Sequence, residues 1–270
     1  MLKLDDVAAL EARVDAWEAV LSEEADRAFL SAWAVVAAEA AALADSPVTS
    51  LLESAEGRCL HGRLALHQRR HLSFSERAAA EHLLRTAPVG DRRFRDVLGD
   101  TFARQTFDRL DETARLIDFD GCRRAVVVGC GAFPAAALFF HERTATTRIV
   151  AIDVDAAAAE VAARVADRHA SERLSVRCED GRVHDYGDAD AVYVVNQVTS
   201  KTGVLSRIAA TASADATVLL RDPFGMGRLF ADSVDRSLPP PWRVLATGAV
   251  DGNFFSRHLL LGRTVAGAGA

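Results

Sequence analysis

Hydrophobic positions along the chain change period once, near residue 120. Before it, apolar residues recur at three- and four-residue spacing through Val7, Leu10, Val14, Trp17 and Leu21, and again through Phe29, Trp33, Val36 and Ala40. That spacing places them on one face of a helix, and no alternating pattern interrupts it up to Phe119. Ser73, Phe74, Ser75 and Glu76 read as a serine-capped helix start. Pro88 to Asp91 break the chain before a long helical stretch from Arg92 to Ile117. After Gly121, short apolar runs rich in valine and isoleucine alternate with alanine-rich helical segments. Strands are expected at 124–128, 148–152, 173–177, 190–195, 216–221, 242–247 and 257–263, and helices near 134–143, 155–168, 203–212 and 226–236. Alternation of this kind builds a mostly parallel sheet wrapped by helices. Asp251, Gly252 and Asn253 form a turn that makes the last two strands a hairpin. The expected organisation is a helical cap domain at 1–119, an α/β domain at 120–265 and a flexible tail at 266–270.

The first strand of the second half ends in Gly129-Cys-Gly131-Ala-Phe133-Pro134, and the second in Asp153-Val154-Asp155. Glycine suits a sharp strand-to-helix turn and lets backbone approach a ligand. An acid closing the second strand can accept hydrogen bonds from two ribose hydroxyls. The third glycine that seats a dinucleotide pyrophosphate is missing, which favours a nucleoside ligand without pyrophosphate, S-adenosylmethionine above all, over NAD. Asp155, directly before an alanine run, reads equally as a helix cap. After the third strand come Asp180 and Gly181, where an acid would meet an adenine amino group. Tyr193 and Asn196 close the fourth strand and Asp222 the fifth, all at the carboxyl edge where open α/β sheets bind ligands.

Half the residues are hydrophobic, enough for a substantial core, and the net charge of -6 offers no general attraction to phosphate backbones. Neither nucleic acid nor membrane is an expected partner, and the expected location is the cytoplasm. A small-molecule substrate is expected, and the amphipathic N-terminal helices could equally pair two copies as a homodimer. The four cysteines show no C-x-x-C spacing, so neither a zinc ribbon nor a disulfide framework is indicated. His67 and His71 share a helix face but lack a nearby acidic third ligand, so no metal is expected.

These features together resemble a class I S-adenosylmethionine-dependent methyltransferase and, within that superfamily, nicotianamine synthase. Gly129 to Pro134 resemble that family's G-S-G-P-x-P turn, Asp153 and Asp155 its D-x-D pair, Asp180 its acid after the third strand, and Leu220 to Gly225 its L-R-S-x-x-G segment. Glu56, in Ala55-Glu-Gly-Arg-Cys-Leu60, resembles the family's glutamate-bearing segment, whose final glutamate is replaced here by His61. The family's tyrosine-rich segment falls near Ala103 to Phe107, where no tyrosine stands. The resemblance implies a Rossmann-like methyltransferase fold with an N-terminal helical cap. Gly129, Gly131, Phe133, Pro134, Asp153, Val154, Asp180, Gly181 and Asn196 would hold the nucleoside. It further implies chemistry on the 3-amino-3-carboxypropyl arm with methylthioadenosine as product, by transfer to an amine or by closure to azetidine-2-carboxylate. Asn196, Tyr193 and Asp222 would hold or deprotonate the amine, with Glu56 as a further acid and Phe107 offering its ring to the sulfonium. Methyl transfer and non-catalytic nucleoside sensing are the competing readings.

Overall fold

The computed structural model describes residues 45–86, 102–117, 121–170, 172–234, 238–251 and 255–264. The apolar periodicity through residues 7–40, the start of the 92–117 stretch and the tail at 266–270 lie outside these residues. Among the described residues, three α-helices precede the sheet: α1 (Asp45–Glu53), α2 (Ala55–Thr86) and α3 (Phe102–Thr113). The alternating half runs β1 (Arg124–Val128), α4 (Ala135–Arg143), β2 (Arg148–Asp153), α5 (Ala156–His169), β3 (Leu174–Cys178), β4 (Ala191–Val194), α6 (Lys201–Thr211), β5 (Thr217–Pro223), β6 (Trp242–Asp251) and β7 (Ser256–Arg263).

The seven strands form one sheet in the order β3-β2-β1-β4-β5-β7-β6. The first five pair in parallel, and β7 pairs antiparallel with both β5 and β6. Helical crossovers cover both faces of such a sheet, which is why its central strands are apolar at every position rather than alternately. Val126, Val127, Val192, Val194, Leu219 and Leu220 are fully buried. On one face Tyr193 and Leu219 pack with Phe107, Leu110, Ala80 and Leu83, so α2 and α3 share a core with the sheet. On the other, Val126, Val194 and Leu220 pack with Leu205 and Ile208 of α6.

Two expectations are corrected. Ser73 does not start a helix: α2 runs unbroken from Ala55 to Thr86. Burial of Leu60 and Leu64 in one cluster and of Ala80 and Leu83 in another outweighs a local serine signature. Where a helix was expected at 226–236, the described residues form a 3-10 turn at Gly225–Leu229 followed by irregular chain to Val234. Glycines at 225 and 227 disfavour a longer helix, and the backbone beyond is claimed by Asp222, whose Oδ1 accepts from Val234 N–H at 3.0 Å.

Phe107 is 1 % exposed and meets Phe139 edge-on, with ring centroids 5.7 Å apart at 80°. Replacing it by alanine removes this contact and leaves a void between α3 and α4. Phe107→Ala should therefore lower unfolding stability by about 3–5 kcal/mol, measured by urea titration.

Candidate active site

The strand order reverses between β1 and β4, and there a cleft of ≈ 360 Å³ opens at the carboxyl edge of the sheet. That volume falls in the range of sites for nucleoside-sized ligands. Its floor is the turn after β1. Gly129 and Gly131 have φ of +80° and +65°, left-handed values that L side chains rarely adopt. Side chains would also crowd the turn: a Cβ at Gly129 would lie 2.6 Å from Val198 Cγ2, and one at Gly131 would take the space that the end of the Glu76 side chain fills.

Asp153 ties this turn to the second strand. Its Oδ2 accepts from Gly131 N–H at 2.8 Å and its Oδ1 from Asp155 N–H at 2.9 Å. Burial pushes its carboxyl up, against the pull of these backbone donors. Asp155 caps α5 by accepting from the N–H groups of Ala157 and Ala158 at 2.9 and 3.3 Å. Val154 is 69 % exposed at the mouth. Asp180 lines the cleft with Gly181, and the Arg182 guanidinium grips its carboxylate at 2.6 Å, holding it below its ordinary value.

Of the other residues singled out from the sequence, Phe133, Tyr193 and Asn196 line the cleft, whereas Pro134, Asp222, Glu56 and Phe107 do not. Pro134 is the N-cap of α4, directly before its first residue Ala135. Asp222 is wholly buried beneath the edge, with its Oδ2 accepting from Ser233 Oγ at 2.8 Å and Lys201 Nζ at 3.6 Å from its Oδ1. Glu56 is exposed in the first turn of α2. His61 lies away from the cleft, 3.3 Å from Asp232, which raises its pKa. The side chains of His67 and His71 lie outside the described residues.

The residue that sequence reasoning missed is Glu76. It reaches from α2 into the glycine turn, where its Oε2 accepts from Ala132 N–H at 3.2 Å. Burial first, and the neighbouring Asp153 charge second, push its pKa up to about 8. A signal was present, because Gln68, Leu72 and Glu76 stand at four-residue intervals on one helical face. Gln68 and Glu76 are the polar residues of that face. Gln68 is 5 % exposed, and neither its Oε1 nor Asn196 Oδ1 has a hydrogen-bond partner among the described residues. Both line the cleft, so each is a buried acceptor suited to a ligand's donor.

The Glu76 shift makes stability depend on pH in a stated direction. A carboxyl whose pKa is higher folded than unfolded stabilises the fold below its ordinary value near 4.5, and that contribution is lost as pH rises through about 8. Between pH 5 and pH 9 the thermal midpoint of Glu76→Gln should therefore rise relative to that of the unchanged protein. Scanning calorimetry at both pH values checks this, and the opposite trend would show that the fold favours the carboxylate.

No protein-family model matches the chain, and no curated protein sequence does. Among solved structures it resembles a mutant of MtNAS with a TM-score of 0.80 and 16 % identity, covering 97 % of this chain and 98 % of that one. The same mutant in complex with S-adenosylmethionine matches at 0.79 and 15 % identity, over 97 % and 98 % of the two chains. MtNAS in complex with MTA and tNA matches at 0.80 and 15 % identity, with the same coverage. At this identity the likeness speaks for the architecture, and it extends through the preceding helices as well as the sheet: the chain has the Rossmann-like fold of class I methyltransferases.

Proposed function

We propose that this protein is an S-adenosylmethionine-dependent enzyme acting on the 3-amino-3-carboxypropyl arm of its substrate, forming a carbon–nitrogen bond and releasing methylthioadenosine. The observation that carries the reading is Glu76, a carboxylate from α2 held inside the glycine turn with its pKa near 8. A nucleoside methyltransferase needs the turn itself, but an amine nucleophile also needs a proton acceptor tuned near neutrality. The MtNAS complexes with S-adenosylmethionine, and with MTA and tNA, support the same substrate and leaving group.

The residues present fit that ligand. Gly129 and Gly131 leave the approach for its amino-acid part, Asp153 offers carboxylate lone pairs to the ribose, and Asp180 and Gly181 flank the place of the adenine. The amine lone pair forms the new bond at the arm's Cγ, the carbon–sulfur electron pair leaves with sulfur, and the amine proton passes to Glu76. Three carbons of the sulfonium are electrophilic, so the product depends on which one the amine is held behind, in line with sulfur. In the finer reading the nucleophile is the arm's own amine and the product is azetidine-2-carboxylate. The helical segment at 102–113 carries no tyrosine to serve a second amine, and an intramolecular nucleophile gains effective molarity. The carboxylate acceptor that Asp222 was to provide is supplied by Glu76 in this scheme.

Incubation of the purified protein with S-adenosylmethionine alone, read by mass spectrometry, should give methylthioadenosine above the spontaneous background together with azetidine-2-carboxylate. Methylthioadenosine formed only with an added amine would replace cyclisation by transfer. Adenosylhomocysteine as the product would overturn the reading. Glu76→Gln should lower turnover by about 10²- to 10⁴-fold, the usual worth of a general base, while binding of the substrate by calorimetry stays within a few fold.

A further inference from the structure

Beside Tyr193 a chain of polar side chains borders the cleft, which His258 and Arg109 also line. Tyr193 Oη lies 3.1 Å from His258 Nε2, His258 Nδ1 lies 2.9 Å from Thr113 Oγ1, and Thr113 Oγ1 lies 3.0 Å from the carbonyl oxygen of Arg109. The three side chains are 4 %, 6 % and 1 % exposed. They come from β4, β7 and the last turn of α3, so the chain joins the sheet to the helical layer.

Hydrogen-bond accounting fixes the direction of every proton in it. A carbonyl oxygen only accepts, so the contact at Arg109 uses the one hydroxyl hydrogen of Thr113. Thr113 Oγ1 must then accept from His258, whose Nδ1 therefore carries a hydrogen. Burial, reinforced by the Arg221 and Arg109 charges, lowers the His258 pKa to about 3, so the ring is neutral and its Nε2 is an acceptor. Only the hydroxyl of Tyr193 remains to donate to it. Burial also raises the Tyr193 pKa, so the group stays a phenol.

We propose that Thr113 and His258 are positioning residues that turn the Tyr193 hydroxyl hydrogen away from the cleft, so that Tyr193 presents only lone pairs to the ligand and receives a hydrogen bond from the reacting amine. This rests on the function proposed above and assigns Tyr193 a different part from Glu76: one orients an amine N–H, the other takes the proton. Gln68 and Asn196 line the same cleft, and Gln68 Oε1 and Asn196 Oδ1 have no hydrogen-bond partner among the described residues, so a donor on the ligand would suit them as well. Thr113→Val removes the acceptor for Nδ1–H. The ring is then free to move its hydrogen to Nε2, donate to Tyr193 Oη and swing the phenol hydrogen into the cleft, against the incoming N–H.

Nitrogen NMR of the full chain with labelled histidine, assigned by comparison with His258→Gln, should show His258 protonated at Nδ1 and bare at Nε2. Protonation at Nε2 would overturn the proposal. In methylthioadenosine release, Thr113→Val should lower kcat about tenfold, the worth of one neutral hydrogen bond, with substrate binding unchanged and Thr113→Ser restoring the rate. In a Tyr193→Phe background Thr113→Val should cost nothing further, because it acts only through the phenol. An equal loss in both backgrounds, or no loss in either, would make the chain merely structural and sink the idea. If the unchanged protein released no methylthioadenosine, the functional reading would fall, while the NMR result would still decide the orientation of the phenol.

Discussion

The structure turns on how little room there is at the end of β1. Two left-handed glycines bring the backbone down between β1 and β4, and Asp153 fastens the turn by accepting from Gly131 N–H. Because no Cβ occupies Gly131, the Glu76 carboxylate can enter and accept from the next N–H along. Two acids thus converge on one small turn. Neither meets a cation there in the contacts that set its ionisation, so burial and mutual repulsion raise the pKa of Glu76. The strand order makes the cleft, the missing side chains let the acid in, and the acid's isolation gives it a pKa suited to proton transfer near neutrality.

The cap and the sheet are continuous in a physical sense. Phe107 and Leu110 of α3 and Ala80 and Leu83 of α2 lie in the same core as Tyr193 and Leu219. A helical layer bound this way delivers Gln68 and Glu76 to the cleft with the precision of a packed core rather than of a loop. On the opposite side, the buried Lys201 and Asp222 pair pins the chain leaving β5, with Lys201 Nζ donating to Asp232 O at 2.6 Å and its pKa lowered by burial to about 8. Breaking one partner of such a pair strands the other charge in the interior, which makes Asp222 a structural anchor.

Much of this was legible in the sequence because the responsible signals are local. The valine runs, the glycine turn and the acid at Asp153 read directly as strand, turn and strand end, and the hairpin turn after Asp251 announced the antiparallel edge. Asp155 declared itself a cap by preceding an alanine run. What escaped was set by contacts between distant segments. Glu76 lies 56 positions from the amide it meets, and Thr113 lies 145 positions from His258. Ser73 misled because a serine cap is a local preference, whereas the unbroken α2 is held by apolar packing at both of its ends. Asp222 and Phe107 have the chemistry of site residues, but sequence alone does not say which side of an edge residue is covered.

Cys130 sits in this same turn, between the two glycines, with its thiol buried. Burial, then the charges of Asp153 and Glu76, push its pKa well above the ordinary cysteine value. Thiolates attack electrophilic carbon and thiols scarcely do. A sulfonium with three alkylating carbons, brought to a cleft that carries a cysteine in its floor, would threaten the protein that holds it. Burial and the two acids keep that sulfur protonated, so the environment that would draw a proton from an amine would also passivate the thiol beside it against alkylation by the sulfonium proposed as substrate.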